Sequence, residues 1–190
     1  TGVPGAVGDA YHLEGAEGNA GSAIVTEELP INGDGATISL WFNYTSHQDY
    51  ARIFQTSGNP NAVPSTGFDV EMNPGSSAYV VTWDGGFGEV GDGIDLSPNT
   101  WYNMTVVMDG DEFRVHVFDR NGELDGSPVV NTLTRSNTDG EQLVVGAGDS
   151  GDVVGRYDEI YAYSRALSET EVEALYQESA SGTLNGLVVE

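Results

Sequence analysis

Short runs of β-branched and aromatic residues, broken by glycine, asparagine, aspartate and serine, set the pattern of this chain. They fall at 10–14, 22–26, 36–45, 52–56, 67–72, 78–83, 101–108, 112–119, 142–146 and 156–163. Runs of this length between turn residues predict the strands of a sandwich or barrel. Alternation is strict in 113–118: Phe113, Val115 and Val117 fall on one face, Arg114 and His116 on the other. Asp109-Gly110, between two strong runs, predicts a tight hairpin, and Asn121-Gly122 a further turn.

One stretch has the helical period. Ser168 with Glu171 three residues on makes a capping box. Glu169, Glu171 and Glu173 sit near the positive end of the helix dipole. Val172, Leu175 and Tyr176 form a narrow apolar stripe, which predicts a short helix lying against the sandwich. Ser179-Ala180-Ser181-Gly182-Thr183 reads as a linker. The domain is therefore placed at 1–178, with 179–190 as a linker or last strand leading to a neighbouring domain. The fold class expected is all-β, an antiparallel two-sheet jelly-roll sandwich with one short C-terminal helix.

Charge changes the picture. There are 30 acidic residues against 6 basic ones, all arginine, for a net charge of −24. Such a chain repels itself in dilute salt. At molar salt the Debye length falls to about 3 Å and the repulsion is screened. The absence of lysine fits the same reading, a protein of a high-salt environment. No basic patch exists to neutralise phosphates, so nucleic acid is not an expected partner. No apolar stretch approaches the roughly 20 residues of a membrane span, so this fragment is not expected to insert directly. With no cysteine there is neither a disulfide nor a thiolate metal site. The chain begins at Thr1, which reads as a fragment or processed form whose export signal lies elsewhere.

Four segments resemble the LamG-like (concanavalin A-like lectin/glucanase) jelly rolls, over about residues 5–177. The opening Gly5-Ala6-Val7-Gly8-Asp9-Ala10-Tyr11-His12-Leu13-Glu14-Gly15 is similar to the family's G-x-x-G-x-A start. Ala36-Thr37-Ile38-Ser39-Leu40-Trp41-Phe42 is similar to its F-T-I-S-x-W strand. Asn99-Thr100-Trp101-Tyr102-Asn103-Met104-Thr105-Val106 with Met108-Asp109-Gly110 resembles its tryptophan-led hairpin. Most specific is Gly155-Arg156-Tyr157-Asp158-Glu159-Ile160-Tyr161 running through Arg165-Ala166-Leu167-Ser168 to Leu175-Tyr176. Three positions depart from the pattern: Leu13-Glu14 at the opening F-D, Tyr102 at the usual histidine, and a stretched 117–122 after the hairpin.

The resemblance implies a binding or adhesion module on an exported or cell-surface protein, with a glycan or a surface protein as partner. A structural or protein-interaction domain is the alternative, and a glycan-cleaving enzyme a third. It also implies a structural Ca²⁺ where the opening and final strands lie side by side, at Glu14 and Asp158 with Asp9 in addition. Calcium takes six to eight oxygens, which carboxylates and carbonyls supply. For ligand binding, Trp83 and Phe87 flank a glycine-rich loop, and loops carry function. Arg52, Gln55, Arg114 and His116 are expected on the same face. Trp41 and Trp101 read as packing residues. His12, His47 and His116 lack metal-ligand spacing. Asp69-Val70-Glu71 alternates but lacks the third acid of the glucanase strand, and Asp158 and Glu159 are expected to point to opposite faces, so no catalysis is expected. Asn43 and Asn103 head glycosylation sequons.

Overall fold

The computed structural model describes residues 3–14, 24–28, 35–56, 67–82, 88–89, 93–124, 127–132, 142–146, 151–182 and 188–189. In chain order the strands begin with β1 (Val3–Pro4), β2 (Asp9–Leu13), β3 (Ile24–Glu28), β4 (Gly35–His47), β5 (Ala51–Thr56) and β6 (Phe68–Met72). There follow β7 (Ser77–Thr82), β8 (Gly88–Glu89), β9 (Ile94–Asp95), β10 (Tyr102–Asp109), β11 (Glu112–Asp119) and β12 (Gly122–Glu123). The chain closes with β13 (Val129–Thr132), β14 (Gln142–Val145), β15 (Val153–Tyr163), the helix α1 (Glu169–Ser181) and β16 (Val188–Val189).

Among the described residues these strands form two sheets. The nine-stranded sheet runs β1-β2-β15-β4-β10-β11-β12, with β13 on β11 and β16 on β15. The seven-stranded sheet runs β3-β14-β5-β6-β7-β8, with β9 on β7. Pairing is antiparallel except where β16 runs parallel to β15. The expected all-β sandwich with one short helix is what the chain forms.

Alternation decides what goes inside. In β4, Ile38, Leu40, Phe42 and Tyr44 enter the main core, and so do Met104, Val106 and Met108 of β10 and Phe113, Val115 and Val117 of β11. The sheets meet through aromatic edges. The ring of Phe68 on the seven-stranded sheet lies 5.4 Å from that of Phe113 on the nine-stranded sheet, at 71°. This is the edge-to-face geometry that ring quadrupoles favour.

A second apolar cluster sits on the outer face of the nine-stranded sheet. There Trp41, Val107, Phe118 and Tyr161 meet Leu167, Val172, Leu175 and Tyr176. The helix that covers them starts as expected: the Ser168 side chain accepts from the Glu171 backbone, and the Glu171 side chain accepts from the Ser168 backbone. Burying each large apolar side chain contributes roughly 1.5–3 kcal/mol. The helix runs through Ser181, so the linker expected from Ser179 onward does not begin there. Ser179 is fully buried, and its hydroxyl accepts from Trp41 Nε1 at 2.9 Å. A small polar residue that reads as linker in sequence is here the helix's contact with a buried indole. Gly182, in the left-handed conformation, ends the helix.

Candidate functional site

The four polar residues expected on one face are divided between the sheets. Arg52 and Gln55 lie on β5 of the seven-stranded sheet, Arg114 and His116 on β11 of the nine-stranded sheet. Alternation shows only which residues of one strand share a side, not which sheet the strand joins. A bulge between Arg52 and Phe54 lets Arg52 and Gln55 share a face: Arg52 pairs with Glu71 and Gln55 with Asp69. Both are fully buried. Arg52 Nε contacts Asp69 Oδ2 at 2.6 Å, its Nη2 lies 3.5 Å from Glu71 Oε1, and the Tyr79 hydroxyl donates to Glu71 Oε2 at 2.8 Å. The two acids that come nearest to a glucanase pattern are thus held by a guanidinium and a phenol. Trp83 and Phe87 lie outside the described residues.

Strands β2 and β15 do lie side by side, with Gly155 opposite Leu13 and Tyr157 opposite Tyr11. That register leaves Asp158 and Glu14 four positions apart along the pair, roughly 13 Å at the rise of a strand. Glu14 is exposed, 3.9 Å from His12 Nε2. Asp158 turns to the β1–β2 hairpin instead. Its Oδ2 accepts from Val7 N at 3.1 Å and its Oδ1 from Glu159 N at 3.0 Å. A Cβ on Gly5 would stand 2.4 Å from that Oδ2, which gives the opening glycine a physical reason. Burial raises the Asp158 pKa, backbone N–H groups from Val7, Glu159 and Ala6 oppose the rise, and the charge of Asp9 adds to it. So Asp9 and Asp158 are brought near each other, while Glu14 is not. Among the described residues no group of three His, Cys, Asp or Glu is arranged to hold a metal.

The expected opposition of Asp158 and Glu159 also fails. A bulge between Asp158 and Tyr161 breaks the alternation, and Glu159 adopts a positive φ of 48°. The Tyr161 hydroxyl donates to its carboxylate. Burial raises the Glu159 pKa, the bond from Tyr161 opposes the rise, and Asp158 adds to it.

Asn43 and Asn103 are both buried. Asn43 Oδ1 accepts from Arg156 Nη2 at 3.2 Å, and Asn103 Nδ2 donates to Ser39 Oγ at 3.2 Å. A glycan acceptor must present its amide to solvent, and in the folded chain neither does.

A hollow lies between the β11–β12 hairpin and α1. It measures about 370 Å³, and its lining includes His116, Phe118, Glu123, Glu169, Glu173, Tyr176 and Gln177. His116 and Phe118 are on β11; the hairpin turn brings Glu123 back over them. Glu169, Glu173 and Gln177 recur every four residues, one stripe of the helix beside its apolar stripe. Rings stack beneath: His116 on Phe118 at 6.3 Å and 8°, Phe118 on Tyr176 at 4.4 Å and 13°, Tyr176 on Trp41 at 5.8 Å and 29°. His116 Nδ1 lies 2.9 Å from Glu123 Oε1, and the Ser127 hydroxyl donates to the same oxygen at 2.9 Å. A carboxylate only accepts, so Nδ1 carries the proton. Arg114 serves the helix entry: Nη2 donates to Leu167 O at 3.1 Å. It lines a second hollow of about 520 Å³ that shares Glu169 and Thr170 with the first. Of the cavity residues the sequence singled out His116 for ligand binding. The four-residue recurrence on the helix was a visible signal for the rest, read there only as dipole complementation.

Two facing antiparallel sheets, closed by a terminal strand that runs into a docked helix, define a lectin-type jelly roll. The chain belongs to the concanavalin A-like lectin/glucanases superfamily, whose laminin G-type family model matches residues 17–173. A search of curated protein sequences finds no match. Among solved structures, Domain 4 of AbnA, a GH43 extracellular arabinanase from Geobacillus stearothermophilus, in complex with arabinotriose, is similar at a TM-score of 0.60 and 15% identity, over 90% of this chain and 84% of that one. The heptameric SAP-like pentraxin of Limulus polyphemus is similar at a TM-score of 0.58 and 14% identity, over 80% of this chain and 73% of that one. Domains LG4-5 of the mouse laminin α1 chain give a TM-score of 0.57 at 16% identity, over 84% of this chain and 44% of that one. At these identities the likeness is one of fold.

Proposed function

We propose that this chain is a non-catalytic glycan-binding module of an exported or cell-surface protein working in concentrated salt, and that its sugar enters the cavity between β11 and α1. The composition of that cavity carries the reading. Its volume, about 370 Å³, lies in the range of small-ligand sites. Carboxylates, an amide and a hydroxyl (Glu123, Glu169, Glu173, Gln177 and Thr170) share the wall with Phe118 and Tyr176. Hydroxyl-bearing rings need that combination: polar groups for their edges, apolar surface for their C–H faces. The fold likeness to an arabinanase domain in complex with arabinotriose supports the ligand class. Against cleavage stands the state of Asp69 and Glu71. Glycoside hydrolysis needs two carboxylates free to flank the bond, and these are buried on Arg52 and Tyr79. The fold itself hosts binding modules and hydrolases alike.

A glycan array probed with the chain in molar KCl tests the proposal. Retention on a defined glycan class, weakened about tenfold by Gln177→Ala at unchanged Tm, is expected; tenfold is what loss of one good polar contact costs. A blank array favours a structural or protein-interaction domain. Release of reducing ends from β-glucans would turn the reading to an enzyme.

A further inference from the structure

The same cavity says more about its ligand. His116 is 3% exposed, and its Nε2 is buried without a hydrogen-bond partner. In the tautomer that directs Nδ1–H at Glu123, Nε2 is the ring's acceptor. An unmet buried acceptor is costly, so the site gains from a donor brought to it. The other charged groups in the lining, Glu123, Glu169 and Glu173, only accept when ionised. Glu169 and Glu173 are moreover like charges four residues apart on one helix, a destabilising spacing that a cation between them relieves. Among the described residues no arginine lines the cavity to supply that cation.

We infer that the cavity selects a protonated primary amine, and, resting on the glycan reading above, that the ligand is a sugar with a free amino group rather than an N-acetylated one. An ammonium has three donors and no acceptor, which matches Nε2 and the carboxylates of the wall. Acetylation removes the charge and two of the donors and adds a carbonyl that faces acceptors.

The test is calorimetric titration of the full chain in molar KCl with three probes: a glucosamine tetramer, its N-acetylated counterpart, and cadaverine as an amine without a ring. Binding of the glucosamine tetramer alone is the expected result. Equal binding of both tetramers would overturn the amine preference and leave the glycan reading standing. Binding of cadaverine as tight as the glucosamine tetramer, with the acetylated tetramer silent, would uphold the amine and remove the sugar. Silence from all three overturns the inference, with the array left to judge the broader reading. Glu173→Gln, on the exposed side of the helix, is expected to weaken the amine about tenfold while the Tm holds; an unchanged affinity would place the amine elsewhere.

Discussion

Arg52 shows what a single residue decides here. Its guanidinium is fully buried between Asp69 and Glu71, and breaking a buried pair by removing one partner typically costs about 3–5 kcal/mol. Arg52→Leu is therefore expected to lower unfolding free energy by that amount in urea titrations at fixed salt. A loss below about 1 kcal/mol would mean that the two acids do not depend on this cation. Sequence made Arg52 a surface ligand residue, because arginine is seldom fully buried and nothing local announces its partners. The partners come from β6, fifteen or more positions on, through a bulge that no composition rule places. Asp158 teaches the same lesson. Its motif is legible, but the backbone N–H groups of Val7 and Glu159 that its oxygens accept from are set by register, which local spacing does not display.

At the scale of elements, α1 is the piece that sequence described best. Cap, capping box and apolar stripe all stand where the spacing puts them. Its far end was missed because Ser179, Ala180 and Ser181 have linker composition, while packing under Trp41 holds them helical. Arg165, followed by the Ser168 backbone and side chain, holds the Glu171 carboxyl down to about 2 from its ordinary value of 4.5. A depressed acid contributes stability that is complete above its unfolded value and is lost as pH falls through the folded one. Helix docking, followed by Trp41 fluorescence in a variant with Trp83 and Trp101 replaced, should therefore weaken between pH 4.5 and about 2. Ser168→Ala removes the cap, costs about 1 kcal/mol, and should shrink that acid limb in part, because Arg165 still holds Glu171. An identical acid limb in wild type and variant would detach the effect from the cap.

For the molecule as a whole, fold class was readable and sheet membership was not. Period-two runs announce strands, but strands as far apart in sequence as β4 and β15 pair through contacts that one chain read alone does not display. The net charge of −24 belongs to this scale too. Self-repulsion among so many carboxylates is screened within about 3 Å at molar salt. Tm measured from low to molar KCl should rise markedly, and a flat or falling profile would overturn the high-salt assignment.

The second and last strands of the described chain share a neighbour. β2 pairs with β15 at Tyr157, and β16 pairs with it at Tyr161, both along one margin of the sheet. β1 lies one strand further out, paired with β2 at Ala10, so entry and exit stand on the same margin of the sheet. A host protein can carry such a sandwich as an insert in a single surface loop, held out like a bulb on two adjacent wires, without its own framework being pulled apart.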